Sequence, residues 1–141
     1  MSLVLIVIDS LILAAAGVLH IYWAAGGDWA RREVSPTESF SQELEKPRGR
    51  MLTRFIGLLC FAGVIVLLGK GGIFNIPISP TGWTLACWIM AGVFTLRALF
   101  GFLGSTVVDT GSSEVFDYWN LRVFSPLFLF LGLTIALINI L

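Results

Sequence analysis

Apolar residues gather into four long runs, separated by two polar stretches and one turn-rich connection. The runs cover about residues 3–25, 51–69, 80–103 and 123–141. At ~1.5 Å of rise per residue each is long enough, the second only just, to cross a hydrocarbon core of ~30 Å. The pattern therefore predicts an all-α fold, a four-transmembrane-helix bundle built as a single integral membrane domain. Gly26 to Met51 is polar and faces water, and Gly26-Gly27 reads as the stop of the first helix that lets Trp29 fold back over its end. Within it Ser35-Pro36-Thr37-Glu38 has the form of a capping box, which predicts a short helix running to about Glu45 and stopped by Pro47. Phe40 and Leu44 fall on one face of that helix, so it is expected to be interfacial, lying against the bilayer surface or against the bundle. Ser79-Pro80 and Ser125-Pro126 repeat the serine-then-proline start and are read as the openings of the third and fourth spans. Gly104 to Leu121 forms the second polar loop.

Composition hardens this reading. Hydrophobic residues make up 57% of the 141 residues and charged residues only 13%, with a mean hydropathy of +0.90, which is more apolar surface than a soluble core can use. The formal net charge is zero and the basic residues of the first loop are interleaved with acids, so the cationic footprint that nucleic acid requires is missing. Charge also orients the chain. Arg31, Arg32, Lys46, Arg48, Arg50 and Arg54 cluster around the first loop and Arg122 follows the second, whereas the opposite side offers Lys70. By the positive-inside rule both loops are cytoplasmic and both termini extracytoplasmic. Trp23, Trp29 and Trp119 then form an inner aromatic belt and Trp83 an outer one.

Candidate chemistry is sparse and collects at one depth. His20, the chain's single histidine, lies about five residues before its run ends and Arg97 about six before its own, which puts both ~8–9 Å below the cytoplasmic boundary. Arg54, Asn120, Arg122 and Ser125 share that leaflet. An arginine in a helix centre is costly, and Met90, Phe94, Arg97, Gly101 and Gly104 share one face whose glycines permit another backbone to approach, so Arg97 is expected to face the bundle interior. Asp28, Asp109 and Asp117 are its acidic candidates. Asp9 shares a face with His20 at ~16 Å, a spacing that suits two stations of a proton path as well as it suits an aspartate near a helix start. One histidine cannot supply bis-imidazole haem ligation or a zinc site, so no cofactor and no metal is expected. Cys60 and Cys87 fall at different depths and are expected to be free thiols.

His20-Ile21-Tyr22-Trp23-Ala24-Ala25-Gly26-Gly27 resembles the HxYWAxGG signature of a family of small bacterial four-helix membrane proteins, domain of unknown function 3995. Leu96-Arg97-Ala98 with Gly101-Phe102 is similar to its LRAxGDF segment, and Phe116-Asp117 through Phe124-Ser125-Pro126-Leu127 to its FxxLDxxxYSPLC segment. The chain departs where the family's aspartate falls at Phe102-Leu103, its tyrosine at Phe124 and its cysteine at Phe128. The resemblance implies a four-span protein of the bacterial inner membrane and supports His20, Tyr22, Trp23 and Arg97 as site residues, without naming a substrate.

Three functions are consistent with these residues. The first is a site for an amphiphilic, lipid-like small molecule at the cytoplasmic leaflet, with His20 as acid or base, Arg97 holding an anionic head, and Tyr22, Trp23, Trp29, Arg54, Asp117, Trp119, Asn120 and Ser125 around the ligand. The second is a proton-coupled transporter in which Asp9 and His20 titrate, acting as a homo-oligomer because four short helices enclose little volume. The third is a structural or partner-binding subunit surrounded by membrane lipids.

Overall fold

The computed structural model describes residues 2–107 and 111–141, and among these the chain forms helices and turns with no strand. The first apolar run is α1, Ser2–Ala24. The polar stretch after it carries a four-residue helix, α2 (Arg31–Val34), and α3 (Glu38–Glu45). The second span, α4, begins at Pro47 and runs to Lys70. The third is α5, Pro80–Thr106. A short helix α6 (Glu114–Trp119) passes through a π-helical turn (Asn120–Phe124) into α7, Ser125–Ile140. Among the described residues four helices are long and apolar enough to cross a membrane: α1, α4, α5 and the continuous helix from Glu114 to Ile140.

The capping signals are realised unequally. Ser79 caps α5 as its sequence predicts, its hydroxyl accepting a 3.1 Å hydrogen bond from the Gly82 amide, with proline in the first turn. In the first loop the cap falls two residues later than expected. Thr37, not Ser35, accepts from the Phe40 amide, and Ser35 is buried with no partner for its hydroxyl among the described residues. Ser125-Pro126 is not a helix start at all, because Ser113 caps the helix at Glu114 by accepting from the Phe116 amide. Pro126 therefore lies inside a continuous helix, where its ring would press on the carbonyl four residues back. The widened turn before it relieves this, with the Ser125 amide bonding five residues back to the Asn120 carbonyl.

The spans pack as two antiparallel pairs, α1 with α4 and α5 with α7, and the pairs meet mainly through α1 against α7 and α4 against α5. Small residues set the close approaches. A Cβ at Gly17 would meet the Gly57 carbonyl at 3.2 Å, and one at Gly132 would meet the Ala91 carbonyl at 3.1 Å, so backbones run side by side within each pair. The apolar core is Ile6, Leu13, Leu67, Cys87, Ala91, Leu131, Ile135 and Ile138. Large aliphatic and aromatic side chains cover the outer faces of the spans, which fits contact with membrane lipid. Trp83 is not part of an exposed belt. It is buried against Gly69, whose missing side chain makes room for the indole ring.

α3 packs on the start of α4, and α2 lies against α3 and α6. Arg31 ties this cap together, donating a 2.6 Å hydrogen bond to the Gly27 carbonyl and forming an ion pair with Glu45. The second polar stretch joins the first through the Ser113 amide, which donates to the Pro36 carbonyl at 2.7 Å. Helices and loops at this end, referred to below as the loop end, thus form one layer over the bundle.

Candidate functional site

α1 ends at the loop end by a specific backbone device. The Gly26 amide bonds to the Trp23 carbonyl and the Gly27 amide to the Tyr22 carbonyl, both at 3.0 Å, with Gly26 at φ +104°. This paired pattern is a Schellman stop, in which the residue just past the helix must be left-handed and glycine takes that conformation without steric cost. Gly27 has a second reason to lack a side chain, since a Cβ there would sit 2.2 Å from the Tyr22 ring. The chain then turns back on itself. Trp23 Nε1 donates to the Trp29 carbonyl at 2.8 Å, and the Trp29 amide donates to the Tyr22 hydroxyl at 3.4 Å. Trp29 is thereby held over the end of the helix, as the glycine pair in the sequence implies.

This fold-back makes one wall of a cleft of about 380 Å³. Trp23, Trp29 and Glu33 line it from α1 and the first loop, and Trp119 and Phe124 line it from α6 and the π turn. Its volume lies within the ~300–1,000 Å³ of small-molecule sites, and like those sites it is mostly apolar with a single charged group. Trp119 is braced edge-on by Tyr118 at 5.7 Å between ring centroids, and His20 meets the Trp23 ring edge-on at 5.3 Å. Of the aromatic residues expected to line a site, Trp23, Trp29 and Trp119 do so. Tyr22 supports Trp29 from behind. Glu33 and Phe124 are among the lining residues that the sequence did not single out as site residues. Glu33 reads as one more acid in a mixed-charge loop, and only the packing of α2 against α6 brings it to the cleft.

Arg97 lies elsewhere, in a polar network between α5 and the π turn. Its guanidinium is half-buried, 5.0 Å from the Phe128 ring centroid, with Nη2 at 3.5 Å from Asn120 Oδ1. Phe128, at a position where the chain departs from the family pattern, is also stacked on Phe94. Asn120 is the hub. Its amide donates to the Gly101 carbonyl at 2.9 Å and to Ser105 Oγ at 2.8 Å, and its oxygen accepts from Ser125 Oγ at 3.2 Å. Asp117 accepts from Ser105 Oγ at 2.9 Å and from Ser112 Oγ at 2.7 Å. Arg97 thus faces the interior as its helix face predicts. Among the described residues it forms no ion pair. Neither Asp28 nor Asp117 pairs with it, and Asp109 lies outside the described residues.

The shared depth of His20 and Arg97 does not become a contact. Among the described residues no hydrogen bond, ion pair or ring contact joins them. His20 Nδ1 is 2.7 Å from the Ala16 carbonyl on its own helix. Arg54 is exposed at the start of α4 and does not line the cleft. Asp9 lies in the other half of the bundle, fully buried between α1 and α7, where Thr134 Oγ1 donates to its Oδ1 at 3.0 Å and Oδ2 has no partner among the described residues. Ser10 Oγ beside it in sequence is likewise buried and unpartnered. Cys60 and Cys87 are both free.

Compared with known proteins, residues 13–135 match the model of a family described as "Protein of unknown function (DUF3995)". Neither the curated proteins nor the solved structures give a match.

Proposed function

Because this chain belongs to the DUF3995 family, a description that assigns no activity, its function must come from its own site, and we propose that it binds an amphiphilic, lipid-like small molecule in the tryptophan-lined cleft. The protein is a single integral domain of a bacterial cytoplasmic membrane, with the cleft at the cytoplasmic leaflet and both termini outside, as the excess of Lys and Arg around the loop end favours. The observation that carries the reading is the convergence of Trp23, Trp29, Trp119 and Phe124, from both ends of the chain, on one cleft at the end of four apolar helices. Tryptophan suits this position because its ring is apolar and its N–H is polar, matching a ligand with a tail in the bilayer and a head in the interface. The Arg97–Asn120–Ser105–Asp117 network acts as a buttress, fixing the π turn that presents Trp119 and Phe124. His20 positions Trp23 through its edge-on contact.

Native mass spectrometry of the detergent-solubilised protein tests this. One amphiphile should be retained per chain, and the double variant Trp29→Ala, Trp119→Ala should lose it while melting as the parent does. Equal occupancy in parent and double variant would refute the reading. A proton-coupled transporter is the second reading, favoured by the buried Asp9 carboxyl and its partnerless oxygen. Proton uptake by proteoliposomes that Asp9→Asn abolishes would support it, and uptake unchanged in that variant would remove it.

A further inference from the structure

Resting on the reading of the cleft as a ligand site, we infer that the ligand's head is a lipophilic organic cation of the quaternary ammonium or phosphonium type. Glu33 is the one charged residue lining the cleft, and it makes no hydrogen bond or ion pair among the described residues. Of the arginines in the flanking elements, Arg32 is exposed and does not line the cleft, and the others are engaged elsewhere. Arg31 is held by the Gly27 carbonyl and Glu45, Arg97 by Asn120 and Phe128, and Arg122 lies 4.1 Å above the Tyr118 ring centroid. The cleft therefore presents a carboxylate that has no ion-pair partner among the described residues, lined by three tryptophan rings.

That combination selects chemistry as well as sign. Trp23 spends its N–H on the Trp29 carbonyl, so what it offers a ligand is its ring. Aromatic faces attract cations through the ring quadrupole, and they do so best with cations that shed water cheaply, which is why aromatic cages recognise quaternary ammonium groups. A hydrated divalent metal would need several oxygen ligands, and the lining offers one carboxylate. An anionic head would lie against Glu33 with no guanidinium lining the cleft to meet it, so the cleft favours the charge opposite to the anionic head that the sequence reading assigned to Arg97.

Tetraphenylphosphonium and tetraphenylborate test this directly, being nearly the same size and shape with opposite charge. The protein in nanodiscs of phosphatidylethanolamine and phosphatidylglycerol, lipids without quaternary ammonium heads, is titrated with each ion by calorimetry against empty nanodiscs. The phosphonium should bind saturably at one site per chain and the borate should not. Glu33→Gln should weaken phosphonium binding by roughly ten-fold or more, the scale of one lost ion contact with the tryptophan rings left in place. Glu33→Asp keeps the charge and should retain most of the affinity, which separates charge from any effect on folding. Saturable binding of both ions, unaffected by Glu33→Gln, would overturn the cationic preference while leaving the cleft itself as a binding site. Absence of binding by either ion also overturns it, and retention of an amphiphile in mass spectrometry then shows whether the cleft reading survives.

Discussion

Replacing Asn120 by alanine probes the device that holds the loop end of α5 against the π turn. Two hydrogen bonds cross to α5, to the Gly101 carbonyl and to Ser105 Oγ. Interhelical hydrogen bonds within membranes average ~0.6 kcal/mol and reach ~1.7, so the pair contributes about 1–2 kcal/mol. Ser125 Oγ is completely buried and donates to the Asn120 oxygen, so the variant leaves that hydroxyl unsatisfied at a further cost of ~1 kcal/mol. The sum is a loss of about 2–3 kcal/mol, or roughly 30- to 150-fold in the unfolding equilibrium. Reversible unfolding in mixed micelles, followed by circular dichroism, measures it. Asn120→Leu should lose a similar amount, because it refills the space without restoring the bonds. A double-mutant cycle between Asn120→Ala and Ser105→Ala should return a coupling of ~0.6 kcal/mol. A total loss below ~0.5 kcal/mol with no coupling would refute the view that this network fixes the π turn.

Two glycines give sharper steric tests. Gly69→Ala puts a Cβ 2.6 Å from the buried Trp83 ring and should cost ~1–3 kcal/mol by overpacking in the same unfolding assay. Gly27→Ala forces the Tyr22 ring aside, but that ring is 41% exposed and can swing outward, so stability should fall by less than ~1 kcal/mol. The same change removes the Tyr22 hydroxyl from under Trp29, so amphiphile retention in mass spectrometry should drop by far more than the melting temperature.

Features carried by neighbouring residues were legible in the chain. The four apolar runs, the proline stop at Pro47, the Ser79-Pro80 cap and the glycine pair after Trp23 all depend on hydropathy or on backbone groups within a few residues. The Ser-Pro rule failed at Ser125 for a physical reason. Serine and proline mark a start only if the preceding backbone is not already helical, and Ser113, with residues 114–119, extends the helix upstream. Arg97 illustrates the same limit. Its inward face followed from spacing to Gly101, but its partner is a neutral amide and a phenyl ring rather than a carboxylate.

Sequence alone therefore determined how many helices can cross a membrane, where α1 stops and why Trp29 returns over it, and the family to which the chain belongs, because those properties are local or lie in the order of motifs. Tertiary structure decided what meets what. It set His20 and Arg97 into separate surroundings, sealed Asp9 between α1 and α7, and brought the distant Trp119 to the same cleft as Trp23, Trp29 and Glu33. Contacts across helices depend on rotation and close approach, which small residues such as Gly101 and Gly132 allow but which no single stretch of sequence encodes.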